Sequence, residues 1–297
     1  MAANRTGRAI ILSLISLIFF DAMGLTIKLL STKFSAAELS TWRNLFGLLP
    51  VFLVLFSSKT WRDNGKKLKI VQWKLALFRG VMASIAQLCF YWSLGLMAFA
   101  TASTITYSGA LFATAFAIPI LGERVGKVRW LAVVVGFLGV ILILQPGQEA
   151  FSPYAILPLT AAAFYALLTI TAKLFDSQVS SAVVNLYASI SSTVCAAAIT
   201  LFLGGFTPIS SIEEFFWIIM MGCCGGSAVL LYVVSYRMTD QSNLAPFSYF
   251  GIPIAFVLGW AFFGETPWAA LFPGGMLIIF GGLLIFWRER SATPQPS

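Results

Sequence analysis

Apolar runs of about 20 residues recur from one end of the chain to the other, separated by short polar or charged turns. Ten such runs can be placed, at about 8–30, 37–57, 74–96, 101–121, 128–145, 152–174, 181–203, 214–236, 243–263 and 268–287. Each is long enough, as a helix, to cross roughly 30 Å of hydrocarbon. Only helices or closed barrels satisfy their backbone there, and the length and continuity of these runs predict helices. The stretch from Gly80 to Gly122 carries no charge and reads either as one very long helix or as two.

An internal repeat resolves that ambiguity. Leu121-Gly122-Glu123 reappears as Phe263-Gly264-Glu265, 142 residues later, and the same step pairs Gly80 with Gly222, Ser93 with Ser235, Tyr107 with Tyr249, Gly109 with Gly251 and Gly139 with Gly281. A register held across several helices signals duplication, where one Gly-Glu coincidence would not. The region matching the uncharged stretch carries Arg237 and Asp240, so the first-half turn is expected between Gly95 and Thr101. Earlier helices align at a step of 145, pairing Phe19 with Phe164, Thr26 with Thr171 and Lys28 with Lys173. The predicted domains are two five-helix repeats, 1–148 and 149–297. Because five is odd, the second must enter the membrane from the opposite face. The expected fold class is an all-α integral membrane protein of ten transmembrane helices, arranged as two inverted repeats around a central cavity.

Composition agrees with a bilayer setting: 59% of residues are hydrophobic and 10% charged. Too few charges exist to cover a water-facing surface. The net charge of +8 reflects Lys and Arg in short loops and at the termini, a positive-inside pattern that requires no nucleic acid. Lys59, Arg62, Lys66, Lys67, Lys69 and Lys74 share one side with Arg5, Arg8, Arg124 and Arg288, which predicts both termini in the cytoplasm and a multi-pass protein of the inner (plasma) membrane. The apolar run after Arg8 continues past Asp21 without a small-residue cleavage site and reads as a retained first helix. Four cysteines lie in apolar runs and read as small buried side chains. There is no His, no Walker A sequence and no nucleophile elbow, so no metal, no cofactor and no enzyme activity is expected, and no partner protein is evident.

Inverted repeats commonly enclose a substrate site near the bilayer midplane, and polar positions suggest what lines it. Gly80, Ser84, Gln87, Tyr91 and Gly95 form a narrow stripe on the third span, with Trp92 beside it. Thr104, Tyr107 and Ser108 on the fourth span, Asn185 and Ser189 on the seventh, and Tyr249 on the ninth complete the candidate cavity lining. For the hydroxyls, bonding to their own helix competes with this role; for Gly80 and Ser84, helix packing does. Pro246 and Pro253 suggest a kinked ninth helix serving in gating. Charge at membrane depth costs about 2.5–3.5 kcal/mol on insertion scales, so Asp21, Lys28 and Arg43 are informative. An Asp21–Arg43 pair is the economical arrangement. It is either structural or functional, with Asp21 open to proton coupling and Arg43 to a substrate carboxylate. Lys28 either snorkels or guards one mouth of the pathway.

The Leu121-Gly122-Glu123-Arg124 turn, followed by Trp130, Gly136 and Gly139, with Phe263-Gly264-Glu265 and Gly281-Gly282 as its second copy, resembles the EamA-type repeats of the drug/metabolite transporter superfamily. The length, the basic loop after the second helix and the Phe90-Tyr91-Trp92 run look like the YddG-type amino-acid exporters of that superfamily. The resemblance implies a cavity formed by four helices of each half, with the fifth and tenth helices peripheral. It implies secondary export of amino acids, aromatic ones included, by alternating access, so the expected partners are a small-molecule substrate and the lipid bilayer. Multidrug or hydrophobic-cation efflux is the alternative, for which Asp21 is the sole ready anion. A passive channel or a membrane receptor remains open on composition, though neither gives a reason for inverted duplication.

Overall fold

The computed structural model describes residues 2–57, 61, 68, 70–122, 127–144, 153–175, 181–238, 244, 247–266, 268 and 271–292. Among them every regular element is helical. In chain order the α-helices are α1 (Ala2–Leu30), α2 (Ala36–Ser57), α3 (Trp73–Leu96), α4 (Phe99–Thr106), α5 (Gly109–Leu121), α6 (Lys127–Leu144), α7 (Ile156–Thr171), α8 (Ser181–Phe202), α9 (Ile212–Met238), α10 (Gly251–Phe263) and α11 (Met276–Ala292), with short 3-10 turns at Pro153–Ala155 and Ala172–Leu174 and a π-turn at Leu271–Gly275. Seven segments are long and apolar enough to cross a membrane, and three shorter apolar helices occupy the places of the fifth, ninth and tenth predicted spans. The protein is an all-helical membrane protein of ten spans.

Helix α3 ends at Leu96 and α4 begins at Phe99, inside the interval where the repeat placed the turn. The fourth span is itself broken between Thr106 and Gly109. There the ladder tightens: the Ser108 amide donates to the Ile105 carbonyl and the Leu111 amide to the Ser108 carbonyl. The ninth span breaks at the matching register, with the Phe250 amide donating to the Phe247 carbonyl and the Ile252 amide to the Tyr249 carbonyl. Each break is followed by a glycine at a close approach. A side chain on Gly109 would press on the Ala162 carbonyl, and one on Gly251 would overlap the Tyr107 hydroxyl. The break in the ninth span therefore precedes Pro253, which sits in the first turn of α10, where its missing N–H interrupts no helix bond. Pro246 lies outside the described residues.

The helices close into a ring in the order α1, α9, α2, α8, α3, α7, then the α4–α5 span, then α10, which returns to α1. Helices from residues 1–148 and from 149–297 alternate around it. Helices α6 and α11 pack on each other outside the ring, with Gly139 against Leu277 and Gly281 against Gly136. Small residues let these backbones approach where lipid supplies no hydrophobic drive for association. The outward faces carry large apolar side chains such as Leu53, Phe56, Trp92, Val194, Phe202 and Trp260. In a bilayer such faces meet hydrocarbon, so their exposure carries no penalty.

One end of the ring is tied by charge. Lys28 of α1 donates to Glu265, just after α10, and at 2.8 Å to the Met97 carbonyl; its ammonium lies 4.9 Å from the Phe263 ring centre. The second Glu265 oxygen accepts the Phe99 amide at 2.7 Å and so caps α4. Gly264, at φ +65°, makes the left-handed turn that aims Glu265 inward, and Gly122 adopts the same turn at φ +68°. At the same end Lys33 reaches Glu214 at 2.6 Å, and Ser35 with Glu38 forms a capping box on α2. The other Glu38 oxygen accepts the Thr207 amide. At the opposite end Arg79 of α3 donates to the Leu168 carbonyl and to the Thr171 hydroxyl at 2.8 Å.

Candidate functional site

The chemistry inside the ring begins at a glycine-rich crossing. On α9, Gly222, Gly225 and Gly226 face α2 at Phe46, Arg43, Gly47 and Pro50. A Cβ on Gly225 would lie 2.6 Å from the Met23 sulfur and 2.7 Å from Arg43 Nε, so the absent side chain is the space the guanidinium occupies. Gly225→Ala is therefore expected to displace Arg43 and raise the KM for transported solute about 10-fold, with thermal stability nearly unchanged. The concentration dependence of transport checks this; an unchanged KM would contradict it.

Arg43 donates to Asn44 Oδ1 at 3.0 Å, to the Gly225 carbonyl at 3.3 Å and toward the Met23 sulfur at 3.5 Å. All three acceptors are neutral. Tyr91 of α3 and Tyr165 of α7 stand within electrostatic reach of the guanidinium. Arg43 and Tyr165 are both half-buried. The predicted Asp21–Arg43 pair does not form: the ion pairs among the described residues are Lys28–Glu265 and Lys33–Glu214. The reason is local. The glycine crossing draws Arg43 to α9, whereas Asp21 lies within electrostatic reach of Tyr107 at the break in the fourth span. Asp21 is 5% exposed, and its Oδ2 has no hydrogen-bond partner.

Behind Arg43 lies a buried polar network. Asn44 Nδ2 donates to Gln87 Oε1 at 2.7 Å and to Ser192 Oγ at 3.0 Å, and Ser40 donates to the same Gln87 oxygen at 3.0 Å. The network joins α2, α3 and α8 and fixes the Asn44 amide so that its oxygen faces Arg43. Gln87 thus serves as an anchor of the network, with Tyr91 one helical turn further along α3.

The other predicted lining residues separate into groups. Tyr107 borders Gly251, Tyr249 is buried with an unpartnered hydroxyl, and Ser84 and Ser108 are buried with unpartnered hydroxyls. Thr104 donates to the Ala100 carbonyl on its own helix. Asn185 and Ser189 are half-buried on α8. Trp92 is 61% exposed on the outer face and lines nothing inside. Gly80 is a packing position, with a notional side chain 2.8 Å from Ser191 Oγ. Lys28 turns inward to Glu265 instead of snorkelling. The four cysteines are free and half-buried. Glu123, Arg124 and the Lys173 side chain lie outside what is described. Sequence reasoning missed Asn44, Tyr165 and Gly225. Gly225 alone carried a visible signal, the Gly222-Cys223-Cys224-Gly225-Gly226 cluster in mid-span.

Comparison with known proteins places this geometry. Residues 7–145 match the EamA-like transporter family. The chain is 27% identical over 287 residues to an S-adenosylmethionine uptake transporter of Rickettsia bellii, covering 95% of this chain and 94% of that protein. It is 25% identical over 272 residues to a pseudopaline exporter of Pseudomonas aeruginosa, covering 91% and 93%, and 26% identical over 248 residues to a riboflavin transporter of Brucella anthropi, covering 82% and 87%. A solved crystal structure superposes with a TM-score of 0.61 at 17% identity, covering 94% of this chain and 99% of that one, which shows the shared fold. This multi-pass membrane protein accordingly carries an EamA-like transporter segment at residues 7–145, and over most of its length it is similar to transporters of small metabolites and not to enzymes.

Proposed function

We propose that this transporter moves amino acids, aromatic ones included, out of the cytoplasm by alternating access, with both termini cytoplasmic in the inner (plasma) membrane. The observation that carries the reading is Arg43, a half-buried guanidinium whose acceptors among the described residues are all neutral, with Tyr91 and Tyr165 within electrostatic reach. A planar guanidinium with unspent donors suits a carboxylate, and aromatic walls accept varied side chains by non-directional burial. The two halves, 1–148 and 149–297, act as inverted repeats in this reading. The alternation of halves around the ring and the paired breaks at Tyr107 and Tyr249 support it. In this reading the Lys28–Glu265 pair closes its end, and loading proceeds from the other end, toward the basic loop between α2 and α3.

A second reading, a larger metabolite with an amino-acid end, is favoured by the Rickettsia bellii relative, because S-adenosylmethionine carries a methionine moiety. A thermal-shift panel on the detergent-purified protein tests both. A solute at 100 times its Kd adds about 2.7 kcal/mol to the bound state, a shift of several degrees. L-phenylalanine, L-tryptophan or S-adenosylmethionine is expected to raise the Tm, while riboflavin and a cationic dye leave it unchanged. A shift produced only by the dye would replace this reading with cation efflux.

A further inference from the structure

Arg43 and Asn44 are consecutive on α2, and the arginine side chain folds back so that its Nη1 donates to Asn44 Oδ1 at 3.0 Å. The direction of every bond behind that contact follows from it. A guanidinium only donates, so it takes the amide oxygen and turns Asn44 Nδ2 to the other side. There the two amide hydrogens meet Gln87 Oε1 at 2.7 Å and Ser192 Oγ at 3.0 Å, while Ser40 donates to the same Gln87 oxygen at 3.0 Å. Asn44 is 2% exposed, so side chains of α3 and α8, and not water, set the aim of its oxygen.

The network accompanies the charge. At the step of 145 Arg43 corresponds to Ala188 and Asn44 to Ser189, and at the step of 142 Gln87 corresponds to Val229. The copy without the guanidinium has neither amide, so helix packing alone does not call for them. On Arg43, the nitrogens Nε, Nη1 and Nη2 each engage one acceptor, namely the Met23 sulfur, Asn44 and the Gly225 carbonyl. A guanidinium carries five N–H donors, so one on each terminal nitrogen is left without a partner among the described residues, enough for the two oxygens of one carboxylate. An aspartate at position 44 would hold the guanidinium as firmly and cancel its charge. The amide holds it and leaves the charge in place.

Resting on the amino-acid reading above, we propose that Asn44 is a positioning residue that sets specificity: aimed by Gln87 and Ser192, its oxygen fixes the Arg43 fork without neutralising it, and so keeps the site selective for solutes that carry a carboxylate. Asn44 touches no solute in this account. It acts through Arg43.

Asn44→Asp tests this, because it keeps the shape and adds the cancelling charge. In proteoliposome counterflow of the full chain, with L-phenylalanine and S-adenosylmethionine as probes, the variant is expected to raise the KM of whichever is carried about 10- to 100-fold while the maximal rate stays near that of the unaltered protein. A thermal-unfolding cycle needs no solute. Asn44→Asp should leave the Tm unchanged or higher when Arg43 is present, and lower it by roughly 5–10 °C in an Arg43→Ala background, where the new carboxylate is buried without a partner. An equal fall in Tm with and without Arg43 would overturn the positioning role. An unchanged KM in Asn44→Asp would overturn the specificity role and leave Asn44 a fold residue. If the unaltered protein carries neither probe, the amino-acid reading fails and the selectivity falls with it, while the melting cycle by itself still decides whether Asn44 holds Arg43.

Discussion

Glu265→Gln lowers the melting temperature of the purified protein by several degrees, and Lys28→Met does so by a similar amount. Both Glu265 oxygens are engaged, one pairing with Lys28 and the other capping α4 through the Phe99 amide. The glutamine keeps one acceptor and loses the charge, leaving the Lys28 ammonium with the Met97 carbonyl and the Phe263 ring. Removing one partner of a buried pair costs about 3–5 kcal/mol. The side chains here are 15% and 17% exposed, so water recovers part of that and about 2–3 kcal/mol is expected. The two changes together should cost less than their sum, because the second removes a charge that the first left stranded. Thermal unfolding of the two single variants and the double variant measures this coupling. Strict additivity would show that the pair holds nothing. Under the alternating-access reading the same variants also loosen the tied end, so solute leak through reconstituted protein should rise.

Under the amino-acid reading proposed above, Arg43→Ala is expected to lower transport about 100-fold with the fold intact, the loss anticipated for a carboxylate left without its charged partner. Folding should survive because Arg43 donates only to acceptors with other partners or free lone pairs, and Asn44 stays pinned by Gln87 and Ser192. Arg43→Lys recovers little of the rate. An ammonium cannot reproduce the planar fork that reaches Asn44, Gly225 and a carboxylate together. Transport kinetics alongside thermal stability separate the outcomes: low transport with normal Tm supports the assignment, whereas a matched fall in both makes Arg43 a packing residue.

Much of the fold was legible because the membrane imposes a length rule on every apolar run. Seven long helices and three shorter ones coincide with the predicted spans, and the repeat set the α3–α4 turn to within a few residues. The breaks in the fourth and ninth spans were less legible. Prolines suggested a kink in one of them, yet both breaks fall at Tyr-Ser and Tyr-Phe steps before a glycine, where tertiary approach rather than local propensity decides. The site was partly legible for a similar reason. Charge at depth singled out Asp21, Lys28 and Arg43, but the partners of Lys28 and Arg43 include groups on other helices. Lys28 finds Glu265 at a separation of 237 residues and Arg43 finds Gly225 at 182, contacts no spacing rule along one helix can foresee. Trp92 shows the converse limit: it adjoins the buried Tyr91 in sequence, and one step of 100° around a helix suffices to carry a side chain from the interior to the outer face.

Trans-stimulated counterflow in proteoliposomes tests the central claim most directly, that this chain carries amino acids by alternating exposure of one interior site. Vesicles holding purified protein are loaded with unlabelled L-phenylalanine, and entry of the labelled compound is followed against external concentration. The predicted result is saturable entry, accelerated by the internal unlabelled pool and abolished in Arg43→Ala. Entry that rises linearly with concentration, ignores the internal pool and persists in Arg43→Ala would contradict it.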